Sequence, residues 1–454
     1  MTRTLASLDP ATGETVGTVP VTPVEEIPAL VERSHVAARA WADTPLEERR
    51  DALRPFGEAL AAESERIGTV LTREMGKPLA QGIGETRYCG AGLEKTLDEI
   101  VAALSPERLE DDNVLSELVF DPFGVCAAIT PWNFPISMPH WTIVPALMAG
   151  NSVILKPSEK TPLVADEYVK LLAPMLPTDL VQIIHGDEAQ GRALVSSNVQ
   201  LIAFTGSRAA GQNILSEAGK DLKRVILELG GKDPLVVLDD ADLDAAAQFA
   251  VMNSFRNAGQ VCVSTERIYV QDSIAEKFEE LVAQKTRDLV VGPGMEEGTE
   301  IGPMIDSGQR DHVVAQIEEA KSHGAKVLVG GETPEGNFVQ PTVLTGVDHS
   351  MPIMVDETFG PVVGIQRVSD DESAIAAAND SPYGLGAAVF GGDVTRAERV
   401  ARRLSAGMVG INKGCGGASG SPWVGARQSG YGYHSGRDGH RQFAQLRVVS
   451  RAKG

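Results

Sequence analysis

Cysteine is scarce in this chain: Cys89, Cys126, Cys262 and Cys415 are the only four among 454 residues. Their wide spacing leaves no C-x-x-C pair, which argues against a zinc ribbon or a disulfide framework and for a reducing compartment. No metal site is expected. Long apolar runs are missing too. No stretch of about 18 apolar residues occurs, so no membrane span is expected. The first residues, MTRTLASLDPATGETVG, lack the apolar core of a signal peptide, and the cytoplasm is the expected location. Positive charge is in deficit. There are 41 basic and 62 acidic residues, a formal net charge of −21. That balance argues against nucleic acid and anionic membranes as partners. A small anionic substrate stays compatible, because a local basic pocket can sit in an acidic protein. Internal repeats and low-complexity linkers are absent. So is the usual dinucleotide fingerprint, since no G-x-G-x-x-G follows a strand-like run.

What is present is ordinary globular composition, 43% hydrophobic and 23% charged, long enough for about three domain-sized units. The first hundred residues read as helices. VEEIPALVERSHVAARAWA and LEERRDALRPFGEALAAESERIGTVLTREMG repeat apolar residues at three- and four-residue steps. From about residue 124 short apolar runs alternate with helical segments: SVILKPS, LVQIIHG, LIAFTGS and VILELGG. A second alternating series, with PLVVLDD, ERIYVQD, AKVLVGG, PVVGIQRV and GAAVFGG as strands, starts near 235. Such alternation predicts βαβ units, parallel sheets covered on both faces, and two α/β domains with a cleft between them. Ligands in open α/β sheets bind beyond the carboxyl ends of the strands, so those ends are read most closely.

Thr205-Gly206-Ser207 opens a turn into a helix whose free N–H groups suit a phosphate, although Gln212 stands where a Walker loop needs lysine. An ordinary strand-to-helix turn has the same pattern. Lys156 and Glu159 sit at another strand end, placed either to meet a ribose or to begin a solvated helix. Glu228 lies inside the apolar run VILELGG, where burial should raise its pKa and suit it to general-base work near neutrality. Asn133, between two prolines and two aromatics in PWNFP, is a rigid amide able to stabilise an oxyanion, or a local turn cap. Cys262, in NAGQVCVSTERIYV, is a nucleophile or one of the many buried inert cysteines.

Taken in order, PWNFP, KPSEKTP, FTGS, LELGGKDP, NAGQVC and DETFGP resemble the NAD(P)-dependent aldehyde dehydrogenase superfamily. The likeness covers essentially the whole chain and is greatest to the succinate semialdehyde dehydrogenase branch. It implies an α/β fold of two Rossmann-like open domains plus a small β oligomerisation element. The cofactor domain would comprise residues 1–107 and 124–230, the catalytic domain 231–432, and the oligomerisation element 108–123 and 433–454. It implies Cys262 as nucleophile, Glu228 as general base, and Asn133 with the Cys262 backbone N–H as oxyanion donors. It places Trp132, Lys156, Ser158 and Glu159 at the cofactor, with Gly206 and Ser207 at its pyrophosphate. Glu357 would bind the nicotinamide ribose, with Phe359 packed beside the ring. Glu159 favours NAD over NADP, because a carboxylate repels a 2′-phosphate.

The resemblance has two departures. His434 stands where many members carry a glutamate, so no second carboxylate is assigned. Arg256 precedes the GQ-x-C motif as in some succinate semialdehyde dehydrogenases, where it contacts the distal carboxylate. The second arginine of those enzymes is replaced by Trp141. Arg256 is therefore a carboxylate anchor or a structural ion-pair partner. Trp141 and Trp423 offer the alternative of an apolar pocket for an aliphatic or aromatic aldehyde. The expected reaction oxidises an aldehyde, succinate semialdehyde first, to the free acid. The alternatives are a coenzyme A-acylating enzyme, disfavoured by Glu228, and a non-catalytic descendant. The apolar edge-strand segments LSELVFDPFGV and FAQLRVVS suggest a homodimer or homotetramer.

Overall fold

The computed structural model of the chain describes residues 3–332 and 335–453. Two open sheets dominate it. The first has six strands in the spatial order Gly430–Tyr431, Arg224–Glu228, Leu201–Thr205, Val125–Ile129, Ser152–Lys156 and Val181–Ile183. Its last five strands are mutually parallel, and Gly430–Tyr431 pairs antiparallel with Arg224–Glu228. The alternation of side chains explains why these strands are apolar throughout. Cys126 and Ala128 face one apolar cluster, while Val125 and Ala127 face another on the opposite side. Cys89 and Cys126 are both buried in the former cluster, and burial pushes the Cys89 thiol up to about 12. They behave as core residues.

The second sheet has seven strands in the order Lys326–Val329, Thr342–Thr345, Val362–Val368, Thr265–Gln271, Asp233–Val237, Gly386–Phe390 and Met408–Ile411. All are parallel except Lys326–Val329, which pairs antiparallel at the edge. The strands Thr342–Thr345 and Met408–Ile411, four residues each, are not among the runs read from the pattern. The predicted helical stretch from 46 to 76 is two helices, Leu46–Ala62 and Ser64–Met75, separated at Glu63, whose ψ of 6° leaves the helical range.

A third, wholly antiparallel sheet joins Glu107–Glu110, Val114–Pro122 and Ala444–Ala452. No helix among the described residues is long and apolar enough to cross a membrane.

One connection positions the site. Only Leu229-Gly230-Gly231-Lys232 separates the end of Arg224–Glu228 from the start of Asp233–Val237. The carboxyl edge of the first sheet therefore faces the amino edge of the second. The strand-end rule holds for the first sheet alone. In the second, the cleft-facing segments come before their strands, as Cys262 does before Thr265–Gln271.

Candidate active site

The first sheet reverses its winding between Val125–Ile129 and Leu201–Thr205, and the loops after these two strands diverge to leave a crevice. A cavity of ≈ 330 Å³ opens there. Trp132, Asn133 and Phe134 line it from one loop, Gly206 and Ser207 from the other, and Cys262, Glu357 and Phe359 from the second sheet. A second cavity of ≈ 500 Å³ lies alongside, lined by Lys156, Arg192, Phe204, Ala210 and Lys220 among others. The two flank the N-terminus of the helix Arg208–Ala218, which Ser207 caps by accepting the Ala210 N–H at 3.3 Å. A ligand long enough to occupy both would lay its middle across that N-terminus, where unpaired N–H groups favour phosphate. Lys156 Nζ and Glu159 Oε2 are 3.5 Å apart at the far end, and Ser158 Oγ accepts the Lys160 N–H at 3.3 Å. This donor set fits a dinucleotide.

Cys262 is presented by a backbone under strain. Asn257, Ala258 and Gly259 have φ of 54°, 55° and 70°, three successive left-handed residues. Gly259 cannot be replaced without movement, because a Cβ there would lie 2.0 Å from the Gly360 carbonyl oxygen. Cys262 is partly accessible to the cavity and, like Cys415, Trp423 and Phe134, packs against the apolar cluster of Val261, Val263, Leu385 and Met408. Burial first, then Asp233 and Glu228, push its pKa well above the ordinary thiol value, so the protein alone holds a thiol and not a thiolate.

Asn133 is buried, with Nδ2 donating one hydrogen bond to the Gln260 carbonyl at 3.0 Å. An amide nitrogen carries two hydrogens, so one is left for the cavity that Asn133 lines. Glu228 ends its strand 5% exposed, and neither carboxylate oxygen makes a hydrogen bond. Burial raises its pKa well above the carboxylate range. The Trp423 indole, outside hydrogen-bond geometry, opposes this only partly.

Beside Glu228 is a small pocket of ≈ 20 Å³ lined by Trp141, Thr142 and His434, about the room of one water. His434 stacks on Trp423 at 6.2 Å and lies 5.5 Å from the Trp141 ring. Its Nδ1 is 2.7 Å from Ser435 Oγ, and burial pulls its pKa down to about 3, so it is neutral at working pH. The structure thus puts Trp141 beside Glu228, in an aromatic box whose Trp423 packs against the same apolar cluster as Cys262.

The Glu357 carboxylate accepts the Gly231 N–H at 3.1 Å and rests against Gly230, where a Cβ would collide with it at 2.2 Å. Burial raises its pKa to about 8. Phe359 meets Trp132 edge to face at 5.4 Å. Arg256 is exposed, with no hydrogen bond or ion pair among the described residues. Burial lowers the Lys77 pKa and raises the Cys415 pKa, and Arg256 stands close enough to both for its charge to add to the first shift and oppose the second. Among the described residues, the structural ion pair weighed for Arg256 from sequence is not formed.

Several lining or supporting residues escape the motif reading: Gln309 and His312 on the cavity wall, and the buried Lys77, Glu85 and Glu266; the buried Lys232 lies inside LELGGKDP with no role read for it. The one signal for Glu266 was a charge inside the otherwise apolar strand run ERIYV.

Comparison with known proteins agrees with this geometry. A family model described as the aldehyde dehydrogenase family matches residues 1–449. The chain is 38% identical to glutarate-semialdehyde dehydrogenase of Pseudomonas putida, over 98% of this chain and 94% of that protein. It is 36% identical to succinate-semialdehyde dehydrogenase [NADP(+)] of Escherichia coli, over 97% of this chain and 93% of that one. An aldehyde dehydrogenase crystal structure from Brucella melitensis superposes with a TM-score of 0.96 at 37% identity, covering 100% of this chain and 94% of the other.

Proposed function

Because this chain belongs to the aldehyde dehydrogenase family, and so is an NAD(P)-dependent oxidoreductase acting on aldehydes, we propose that its substrate is a semialdehyde with a distal carboxylate. Succinate semialdehyde is the first candidate and glutarate semialdehyde the next. The observation that carries this reading is Arg256, a guanidinium unpaired among the described residues and three residues ahead of the Gly259-Gln260-Val261-Cys262 turn. A guanidinium is built for bidentate carboxylate recognition.

In the proposed reaction, Cys262 gives up its thiol proton to water and Sγ attacks the aldehyde carbon. The alkoxide that develops is met by the free Asn133 side-chain N–H and by the Cys262 backbone N–H. The cofactor, when bound, supplies the hydride acceptor and, in its oxidised form, a positive charge beside the thiol. Lys156 and Glu159 would hold its adenosine ribose, Ser207 and the helix N-terminus its pyrophosphate, and Glu357 its second ribose. Glu159 favours NAD. The thioester left on Cys262 is hydrolysed by a water that Glu228 deprotonates, giving the free acid. A carboxyl with a raised pKa is the stronger base once it has lost its proton.

The aromatic box of Trp141, Trp423 and His434 supports a second reading, a neutral aliphatic or aromatic aldehyde. Initial rates with succinate semialdehyde, glutarate semialdehyde, butanal and benzaldehyde, each with NAD and with NADP, separate the two. The carboxylate-bearing aldehydes should give the highest kcat/KM. A higher value for butanal or benzaldehyde would favour the second reading.

A further inference from the structure

Two buried lysine–glutamate pairs flank the Cys262 cavity, and they are built alike. Lys77 Nζ lies 2.7 Å from Glu85 Oε2 and also donates to the Asn133 carbonyl at 2.8 Å. Glu85 Oε1 accepts the successive backbone N–H groups of Ile136 and Ser137, at 3.0 and 2.9 Å. On the other side, Lys232 Nζ lies 2.5 Å from Glu266 Oε2 and also donates to Thr358 Oγ1 at 3.0 Å. Glu266 accepts the successive N–H groups of Thr358 and Phe359, at 2.8 and 2.9 Å. No side chain of the four is more than 4% exposed. A buried ion pair is weak evidence for stability, because desolvation offsets the attraction. What the two pairs share is that each grips the backbone of a loop on the cavity wall.

The loop held by Glu266 needs a grip. Residues 357–359 belong to no helix or strand. Phe359 has a φ of 49°, a left-handed conformation unfavourable for a side chain with a Cβ. That backbone turn brings the Phe359 ring onto Trp132, a contact between the two halves of the cleft. Gln309 Nε2 donates to the Thr358 and Phe359 carbonyls at 3.1 and 3.0 Å, so the loop is held by its N–H groups from one side and its carbonyls from the other.

We propose that Lys232–Glu266 is a positioning pair for the nicotinamide end of the cofactor: by fixing the Thr358 and Phe359 backbone it sets where Glu357 and Phe359 meet the ring. Hydride transfer then depends on the pair. Acyl transfer at Cys262 does not, because the oxyanion loop is held separately by Lys77–Glu85. This inference rests on the proposed function, which wild-type cofactor reduction by an aldehyde tests on its own.

The test compares two activities of wild-type and Glu266→Gln enzyme: aldehyde oxidation with cofactor, and cofactor-free hydrolysis of 4-nitrophenyl acetate, which uses only Cys262, Asn133 and Glu228. In Glu266→Gln the cofactor KM should rise about tenfold, a loss equal to one charge-assisted hydrogen bond. The primary isotope effect with a 1-deuterio aldehyde should grow as hydride transfer becomes limiting, while ester hydrolysis stays within about twofold. Unchanged KM and isotope effect would overturn the proposal. So would an equal fall in both activities, the mark of a general structural role. If Glu266→Gln does not fold, Gln309→Ala, at the half-buried cavity wall, decides. It should move KM and isotope effect in the same direction by less, and no shift there overturns the proposal.

Discussion

Cys262 is held as a thiol by its surroundings, and this sets its reactivity. Alkylation by iodoacetamide near pH 7 should be slower than for a free cysteine in the protein alone. It should speed up at least about tenfold with oxidised cofactor, whose charge lowers the thiol pKa. Peptide mapping by mass spectrometry checks this, and free-thiol rates without cofactor would contradict it. Cys262→Ala should abolish aldehyde oxidation. Glu228 makes a pH-dependent prediction. Its folded pKa lies well above the value of an unfolded glutamate. Between the two pKa values the folded state holds a proton that the unfolded state has lost. Stability from this group is therefore complete at low pH and declines as pH rises, by up to ~1.4 kcal/mol per pH unit. Glu228→Gln removes that slope. Its Tm relative to wild type should climb between pH 5 and 9, with thioester hydrolysis slowed. Parallel Tm curves would mean the carboxyl is solvated.

The left-handed turn Asn257-Ala258-Gly259 and the loop 357–359 meet where Gly259 faces Gly360. Gly259→Ala adds a Cβ against an immovable carbonyl at a positive φ. It should cost about 2 kcal/mol or more of stability and most of the activity, read by urea denaturation and steady-state rates. A neutral effect would mean the turn is not rigid. How legible such elements are in the sequence differs across the cleft. The cofactor half is readable because its functional groups stand at strand ends, in turns marked by glycine and proline, where the chemistry points outward. The catalytic half is harder. Its groups precede their strands, so the strand-end rule misleads. Glu266 there, like Glu85 in the cofactor half, grips backbone amides, an interaction that leaves no periodicity. Arg256 is ambiguous in the sequence because an ion pair between residues far apart leaves no local pattern. Only packing shows that it has no partner among the described residues.

Over the whole molecule, the two-domain α/β reading follows from strand–helix alternation, which reports burial on both sheet faces. The antiparallel edge strand Lys326–Val329 and the small third sheet depend on pairing, which alternation does not encode. On that third sheet Leu446, Val448 and Val449 are 49%, 59% and 49% exposed, along a strand with one edge unpaired among the described residues. Exposed apolar edges are covered in working proteins. Light scattering should therefore give a dimer or tetramer, and Val448→Lys with Val449→Lys should lower the mass. A monomeric wild type would contradict the oligomer.

The central claim is that a carboxylate-bearing aldehyde is recognised by Arg256 and oxidised at Cys262. Its most direct test is the ratio of kcat/KM for succinate semialdehyde to that for butanal, in wild type and in Arg256→Ala. A charge-assisted contact is worth about 1.5–3 kcal/mol, so the ratio should fall roughly 10- to 100-fold in the variant, through succinate semialdehyde alone. An unchanged ratio, with both substrates affected equally or not at all, would contradict it.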